Sequence, residues 1–227
     1  MKPGVSFVFR RALPIVIALA LSAAPARAAI ILFDNLAAGS PNGSFGVSNS
    51  GWVAQSFSTT SSGFILSEVA LRLWNAGGTS GNFELQVWNA LGTAGAPGSQ
   101  VGGAIYTGLA ESLGNTSSLL TVSGLNVTLV PDTAYYLVAA GASLADFPGP
   151  FGPIPGQLDW DATDVVTSPA YDTGDSGGNW SGPFSQNLYL KVTAASAAVP
   201  EPGTWAAAAL LVGGAAIARW RKRKKVS

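Results

Sequence analysis

Along the middle of the chain, apolar residues recur at every second position in short bursts, and turn-forming residues separate the bursts. Val69, Leu71 and Leu73 alternate with Ala70 and Arg72, and Phe83, Leu85 and Val87 alternate with Glu84 and Gln86. Period two places such residues on one face of a strand, and no stretch of the body sustains the 3.6-residue period of an amphipathic helix. Strands are predicted at Ile30–Phe33, Trp52–Phe57, Phe64–Trp74, Phe83–Trp88, Ala104–Thr107, Leu119–Thr121, Leu125–Leu129, Ala134–Ala139, Gln157–Trp160 and Leu188–Thr193. Turns containing Gly, Pro or Asn separate most of them. The pattern predicts an all-β fold, an antiparallel β-sandwich or jelly-roll-like single domain. Ala145–Gly156 holds four prolines and three glycines and reads as a loop. No internal repeat of fixed period is present.

One hairpin can be written in register. Folding Asn75–Gly81 about Gly78 pairs Leu73 with Phe83, Leu71 with Leu85 and Val69 with Val87. The same register sets Arg72 opposite Glu84 on the other face, a pair worth under about 1 kcal/mol if exposed. A shift of two residues would preserve this facing.

The two ends depart from the pattern. Lys2 and Arg10-Arg11 precede an apolar run from Ala12 to Ala24, followed by Ala26-Arg27-Ala28. That order is a charged region, an apolar region too short to span comfortably, and a small-x-small cleavage site, so residues 1–28 read as a signal peptide cut after Ala28. A body at 29–193 and a small-residue linker at 194–199 lead to Pro200-Glu201-Pro202. The two prolines hold the backbone around Glu201 extended and accessible. Thr204 is placed to cap a helix over Trp205–Ala218, fourteen residues that cover about 21 Å. That is shorter than a hydrocarbon core of about 30 Å, and six basic residues after it would stay cytoplasmic.

The Pro-Glu-Pro motif, the short Ala/Leu/Gly-rich transmembrane helix and the terminal basic cluster, residues 200–225, resemble the PEP-CTERM sorting signal of Gram-negative bacteria. The resemblance implies that exosortase, an integral-membrane enzyme, recognises and processes the tail, often in organisms that make exopolysaccharide or biofilm. Phe33-Asp34-Asn35, Gln55-Ser56-Phe57, Val69–Leu73 and Pro131-Asp132-Thr133-Ala134-Tyr135-Tyr136-Leu137-Val138 resemble the choice-of-anchor domains of the R type. That second resemblance implies an extracellular domain of no established activity.

Charge sharpens the picture. The chain is formally neutral, yet between Ala29 and Val199 it holds two basic and eleven acidic residues, a net charge of −9. The basic residues collect at the tips, where they suit membrane topology, while an acidic body repels nucleic acid. Signal peptidase, exosortase, the inner membrane in transit and, in a second reading, extracellular polysaccharide are the expected partners. The expected destination is the cell surface or extracellular matrix.

Cys and His are both absent, which removes disulfides, a Ser-His-Asp triad, a Cys nucleophile and an imidazole-bound zinc. Paired carboxylates could hydrolyse a glycoside only in a concave site with the two acids about 5–10 Å apart, and the sequence places no such pair. Lys191 alternates with apolar neighbours as an outward strand residue. No catalytic residue and no cofactor are assigned, and a non-catalytic protein is expected. Asp159, Asp161 and Asp164 lie beside Trp160 and fit either a solvated acidic loop or a calcium site without the EF-hand pattern. Trp52, Trp74, Trp88, Trp160 and Trp180 fit either core packing or a sugar-stacking platform. In the hairpin written above, Trp74 and Trp88 share the outward face, and with Trp160 they are the candidates for polysaccharide binding.

Overall fold

The alternating pattern carries the backbone through fifteen strands in the computed structural model, which describes residues 28–197 apart from 76, 146, 150, 151, 155, 166 and 167. Ala26, the signal-peptide run, Pro200, Glu201, Pro202 and the expected transmembrane helix lie outside the described residues. Among the described residues no helix is long and apolar enough to cross a membrane.

In chain order the strands are β1 (Ala29–Asp34), β2 (Gly43–Val47), β3 (Trp52–Ser58), β4 (Phe64–Trp74) and β5 (Asn82–Asn89). Next come β6 (Tyr106–Leu109), β7 (Leu119–Leu129), β8 (Ala134–Gly141), β9 (Phe147–Gly149) and β10 (Gly152–Ile154). The last five are β11 (Leu158–Thr163), β12 (Ala170–Thr173), β13 (Ser181–Phe184), β14 (Asn187–Leu188) and β15 (Leu190–Ser196). A six-stranded antiparallel sheet runs β13-β12-β3-β8-β5-β6. The other large sheet has seven strands, with β1-β15-β4-β11-β14 as its spine, β7 added on β4 and β2 on β11.

Both sheets turn their apolar faces into one core. Leu66, Val69, Leu71, Leu73 and Trp160 enter it from the seven-stranded sheet, and Phe57, Phe83, Leu85, Val87 and Leu137 from the six-stranded sheet. Each is nearly or wholly buried, worth about 1.5–3 kcal/mol for an aliphatic or phenyl side chain moved out of water. The long strand β4 changes phase within this core. Phe64 and Leu66 point inward, then Val69, Leu71 and Leu73, because the register with both β7 and β15 slips at Ser67. A bulge of one residue is what lets an even-numbered apolar face continue as an odd-numbered one.

The hairpin expected between β4 and β5 does not form. The inward facing of both triplets is as read, but β4 lies in the seven-stranded sheet and β5 in the six-stranded sheet, beside β8 and β6. The two triplets face one another across the core. Inward alternation is the same for hairpin partners as for strands of opposite sheets, and Asn75–Gly81 is long enough to cross the roughly 10 Å between layers. Arg72 is accordingly not opposite Glu84: its ladder partner is Leu119.

Three further expectations shift. Leu119–Thr121 and Leu125–Leu129 are parts of the single strand β7. Ala145–Gly156 is not all loop, because β9 and β10 form a two-stranded hairpin within it. Pro148 stands opposite Pro153 there, a position that suits residues without an N–H when the flanking residues make the ladder bonds. The strand expected to end at Thr193 continues to Ser196, with Ala194 fully buried, so the first half of the expected linker belongs to β15. At the other end, Ala29 opens β1 and pairs with Ala195.

The motifs that carried the domain resemblance brace the fold. At Tyr189 the ladder breaks between β14 and β15, and two buried amides splice it. Asn35 donates from Nδ2 to the Leu188 carbonyl (3.0 Å) and accepts from the Leu190 N–H (2.7 Å). Gln55 Oε1 accepts from the Leu188 N–H (2.7 Å). Before β8, the Tyr135 hydroxyl accepts from the Val130 N–H (2.8 Å), and the Thr59 hydroxyl ties the Val130 and Thr133 carbonyls.

Candidate functional site

The acidic candidates lie on or just beyond β11, in the seven-stranded sheet. Trp160 points into the core, fully buried, and its indole N–H donates to the Tyr189 carbonyl (3.0 Å). Asp159 and Asp161, one residue to each side, project from the opposite face. Asp161 is nearly buried and accepts from the Trp74 indole N–H (2.9 Å) and from the Ser117 hydroxyl. Asp159 accepts from the Ser44 hydroxyl (3.1 Å) and Asp164 from the Gln186 amide (3.2 Å). Among the described residues, no three acidic side chains converge as a metal cluster would. The carboxylates have separate protein donors instead.

Beside them the loop after β1 covers part of that outer face. Arg72 lies 4.3 Å from the Tyr189 ring centroid and donates to the Leu36 carbonyl (3.1 Å). The Tyr189 hydroxyl reaches the carbonyls of Ala38 and Gly39, both at 3.0 Å. The segment joining β1 and β2 is thus tied down over the sheet. Trp74, one of the sugar-stacking candidates, is consumed here by Asp161. It does not share a face with Trp88, because their strands belong to opposite sheets.

Trp88 belongs to a different assembly on the outer face of the six-stranded sheet. Alternation along β5 puts Glu84, Gln86 and Trp88 on that face, linked by hydrogen bonds from Trp88 Nε1 to Gln86 Oε1 (2.8 Å) and from Gln86 Nε2 to Glu84 Oε2 (2.9 Å). Trp52 meets Trp88 edge-on with centroids 6.1 Å apart, and Trp180 does the same at 5.9 Å. Beneath them Tyr136 and Tyr171 pack at 5.6 Å, nearly perpendicular. Burial, with the Tyr171 phenol beside it, pushes the Tyr136 hydroxyl well above its ordinary pKa, so it stays a donor. It donates to the Gly95 carbonyl (2.6 Å) and pins the turn after β5.

Two glycine-rich loops rise from this aromatic base, and a cleft of about 420 Å³ lies between residues 92–98 and 177–180. The first loop closes on itself: a Cβ on Gly98 would fall 2.8 Å from the Gly92 nitrogen. The second lies directly on the indoles. Gly177 has φ +86°, and a Cβ there would come within 3.0 Å of Trp52 and 3.1 Å of Trp88.

Asp175 organises the second loop. It accepts from the Thr173 hydroxyl, the Asn179 N–H (2.8 Å) and the Asn179 Nδ2 (2.6 Å). These donors, the Thr173 hydroxyl foremost, hold its carboxyl at about 2. Asp172, by contrast, is pushed up by burial.

Trp180 is one of the body's five tryptophans and is not among the binding candidates that the sequence offers. The signal was there in two segments rich in glycine, 92–98 and 174–178, the second running directly into Asn179-Trp180. What no local pattern shows is that these segments, about eighty residues apart, stand side by side.

No protein-family model matches the chain, and no curated protein matches it. Among solved structures, the chain is similar to the cysteine protease and lectin-like domains of Cwp84, a surface layer associated protein of Clostridium difficile. The TM-score is 0.46 and the identity 10%, over 66% of this chain and 33% of that one. The match therefore spans about a third of that neighbour's length.

Proposed function

We propose that this chain is an exported surface protein of a Gram-negative bacterium, in which a non-catalytic β-sandwich is delivered by a signal peptide and a PEP-CTERM-type tail. Signal peptidase cuts after Ala28, the inner membrane holds the intermediate, and exosortase acts on the Pro200-Glu201-Pro202 region. The mature body then resides at the cell surface or in the extracellular matrix.

The observation that supports this reading is where the first and last described strands lie. The first opens at Ala29, the residue that cleavage after Ala28 would expose, and the last ends at Ser196, short of Pro200. Processing at both addresses would leave every strand among the described residues whole. Ala29 stands opposite Ala195, so the first and last described strands are neighbours in one antiparallel pair. The charge supports the same topology, with a net −9 body between positive tips.

Mass spectrometry of the surface-exposed chain from its own host tests the proposal. The expected species begins at Ala29 and lacks Arg219–Lys225. Glu201→Ala is expected to leave export intact and trap the chain in the inner membrane. A surface form that retains the basic tail, or normal surface display of the Glu201→Ala chain, rejects the sorting reading.

A further inference from the structure

The geometry points to the cleft between residues 92–98 and 177–180 as a binding site for a neutral oligosaccharide. Its volume, about 420 Å³, lies within the range of about 300–1,000 Å³ in which small-ligand sites fall. Both walls are fixed before any ligand arrives, one by the Tyr136–Gly95 bond and the other by Asp175. Pre-set walls reduce the ordering that binding would otherwise require.

Three side chains give the cleft its chemistry. Thr93, on the first wall, is exposed and its hydroxyl makes no hydrogen bond among the described residues. Asn179, on the second, has its Nδ2 committed to Asp175, which turns its exposed Oδ1 into an oriented acceptor with no protein donor among the described residues. Trp180 is partly exposed, but its indole nitrogen is shut off from solvent, so what its side chain can present to the cleft is ring carbon. Edge-on packing against Trp88 fixes that ring. A free hydroxyl, a free amide oxygen and an aromatic surface suit a ligand with both hydroxyls and apolar C–H faces, which is the surface of a sugar ring.

Charge selects among sugars. None of the cleft-lining residues is charged, and the body carries a net −9. A uronic or phosphorylated sugar would be desolvated with no cation to meet it and repelled by the surrounding field. A larger cleft, about 550 Å³ beside residues 101–105 and 124–128, has no aromatic side chain in its lining and lacks this combination.

The test uses the full chain, held in a detergent without a sugar headgroup, against di- to tetrasaccharides of glucose, galactose and mannose and matched uronic-acid oligosaccharides. At least one neutral oligosaccharide is expected to bind saturably, in preference to its acidic counterpart. Trp180→Ala should weaken binding roughly tenfold, while Trp180→Phe, which keeps an aromatic surface, should retain most of it. Thr93→Arg, at an exposed position outside the core, should block the cleft with an unchanged melting temperature. The site is rejected if no neutral oligosaccharide binds, if the acidic ones bind better, or if Trp180→Ala and Thr93→Arg leave affinity unchanged. Because the measurement needs no processing, it can fail while the sorting proposal stands, and the reverse.

Discussion

The two outer faces of the sandwich solve the same problem in opposite ways. Around β11 on the seven-stranded sheet the polar groups are spent within the protein: Trp74 and Ser117 on Asp161, Ser44 on Asp159, and Arg72 on Tyr189 and Leu36. On the six-stranded sheet an aromatic cluster fills the role of internal glue, and the loops above it leave Thr93 and Asn179 with unused polar atoms. The β11 region is acidic and the other face is aromatic, yet it is the loops of the second that hold exposed polar groups in reserve. A dense array of chemically capable residues is therefore a poor guide to a site; what counts is whether their partners are already inside the protein.

The largest test of this contrast sets one tryptophan against another. Trp160 is fully buried with its N–H bonded, so Trp160→Ala should cost about 3–5 kcal/mol and lower the melting temperature sharply. Trp180 is only partly buried, and Trp180→Ala should cost less than Trp160→Ala: the edge-on contact with Trp88, worth about 0.5–1.5 kcal/mol, plus the burial of part of one ring. Thermal melts that rank the two equally, or invert them, would remove the distinction between a core indole and a cleft indole.

Next in size is Asp161. Replacing it with Leu strands the Trp74 N–H and the Ser117 hydroxyl, and each orphaned donor in a half-closed site contributes to a loss of about 1–3 kcal/mol. Asp161→Asn keeps an acceptor oxygen and should recover most of it. Neither change should affect the cleft on the other sheet. If urea melts show Asp161→Leu to be neutral, the seven-stranded face is not the closed network described, and its carboxylates become available for other work.

The facing of residues was legible in the sequence, and the pairing of strands was not. Val69, Leu71, Leu73, Phe83, Leu85 and Val87 all point inward as their alternation required. That same alternation could not tell a hairpin partner from a strand of the opposite sheet, so β4 and β5 were placed side by side when they lie across the core. Besides β9 and β10, three strands have no signal in the sequence, for a local reason: β2 (Gly-Ser-Phe-Gly-Val), β12 (Ala-Tyr-Asp-Thr) and β13 (Ser-Gly-Pro-Phe) are short and built largely from turn-favouring or small residues. Neighbouring strands, not intrinsic propensity, hold them. The cleft was the least legible feature, because β3, β5, β8 and β12 must assemble before Gly95 and Trp180 can meet one sheet. The carboxylate triplet is close in sequence, yet alternation along β11 turns Trp160 away from Asp159 and Asp161.

The smallest effect probes whether Asp175 holds the cleft wall. Its carboxyl is held at about 2, below the ordinary value of 3.8, by the Thr173 hydroxyl and by the Asn179 amide groups. A depressed carboxylate contributes stability that is complete above its ordinary pKa and is lost as the pH falls through its folded value. Wild type should therefore melt above Asp175→Asn at neutral pH, with the gap closing as the pH falls from about 4 toward 2. Asp172 provides the opposing sign. Burial raises its pKa, so its contribution is present below the ordinary value and is lost as the pH rises through the folded one. Asp172→Asn should accordingly melt closest to wild type in acid and gain on it as the pH rises. Both carboxyls lie within four residues of one another, and melting curves across the acid range separate them by the direction of the slope alone. A gap between wild type and Asp175→Asn that does not change with pH would show that the Asn179 wall stands without the carboxylate.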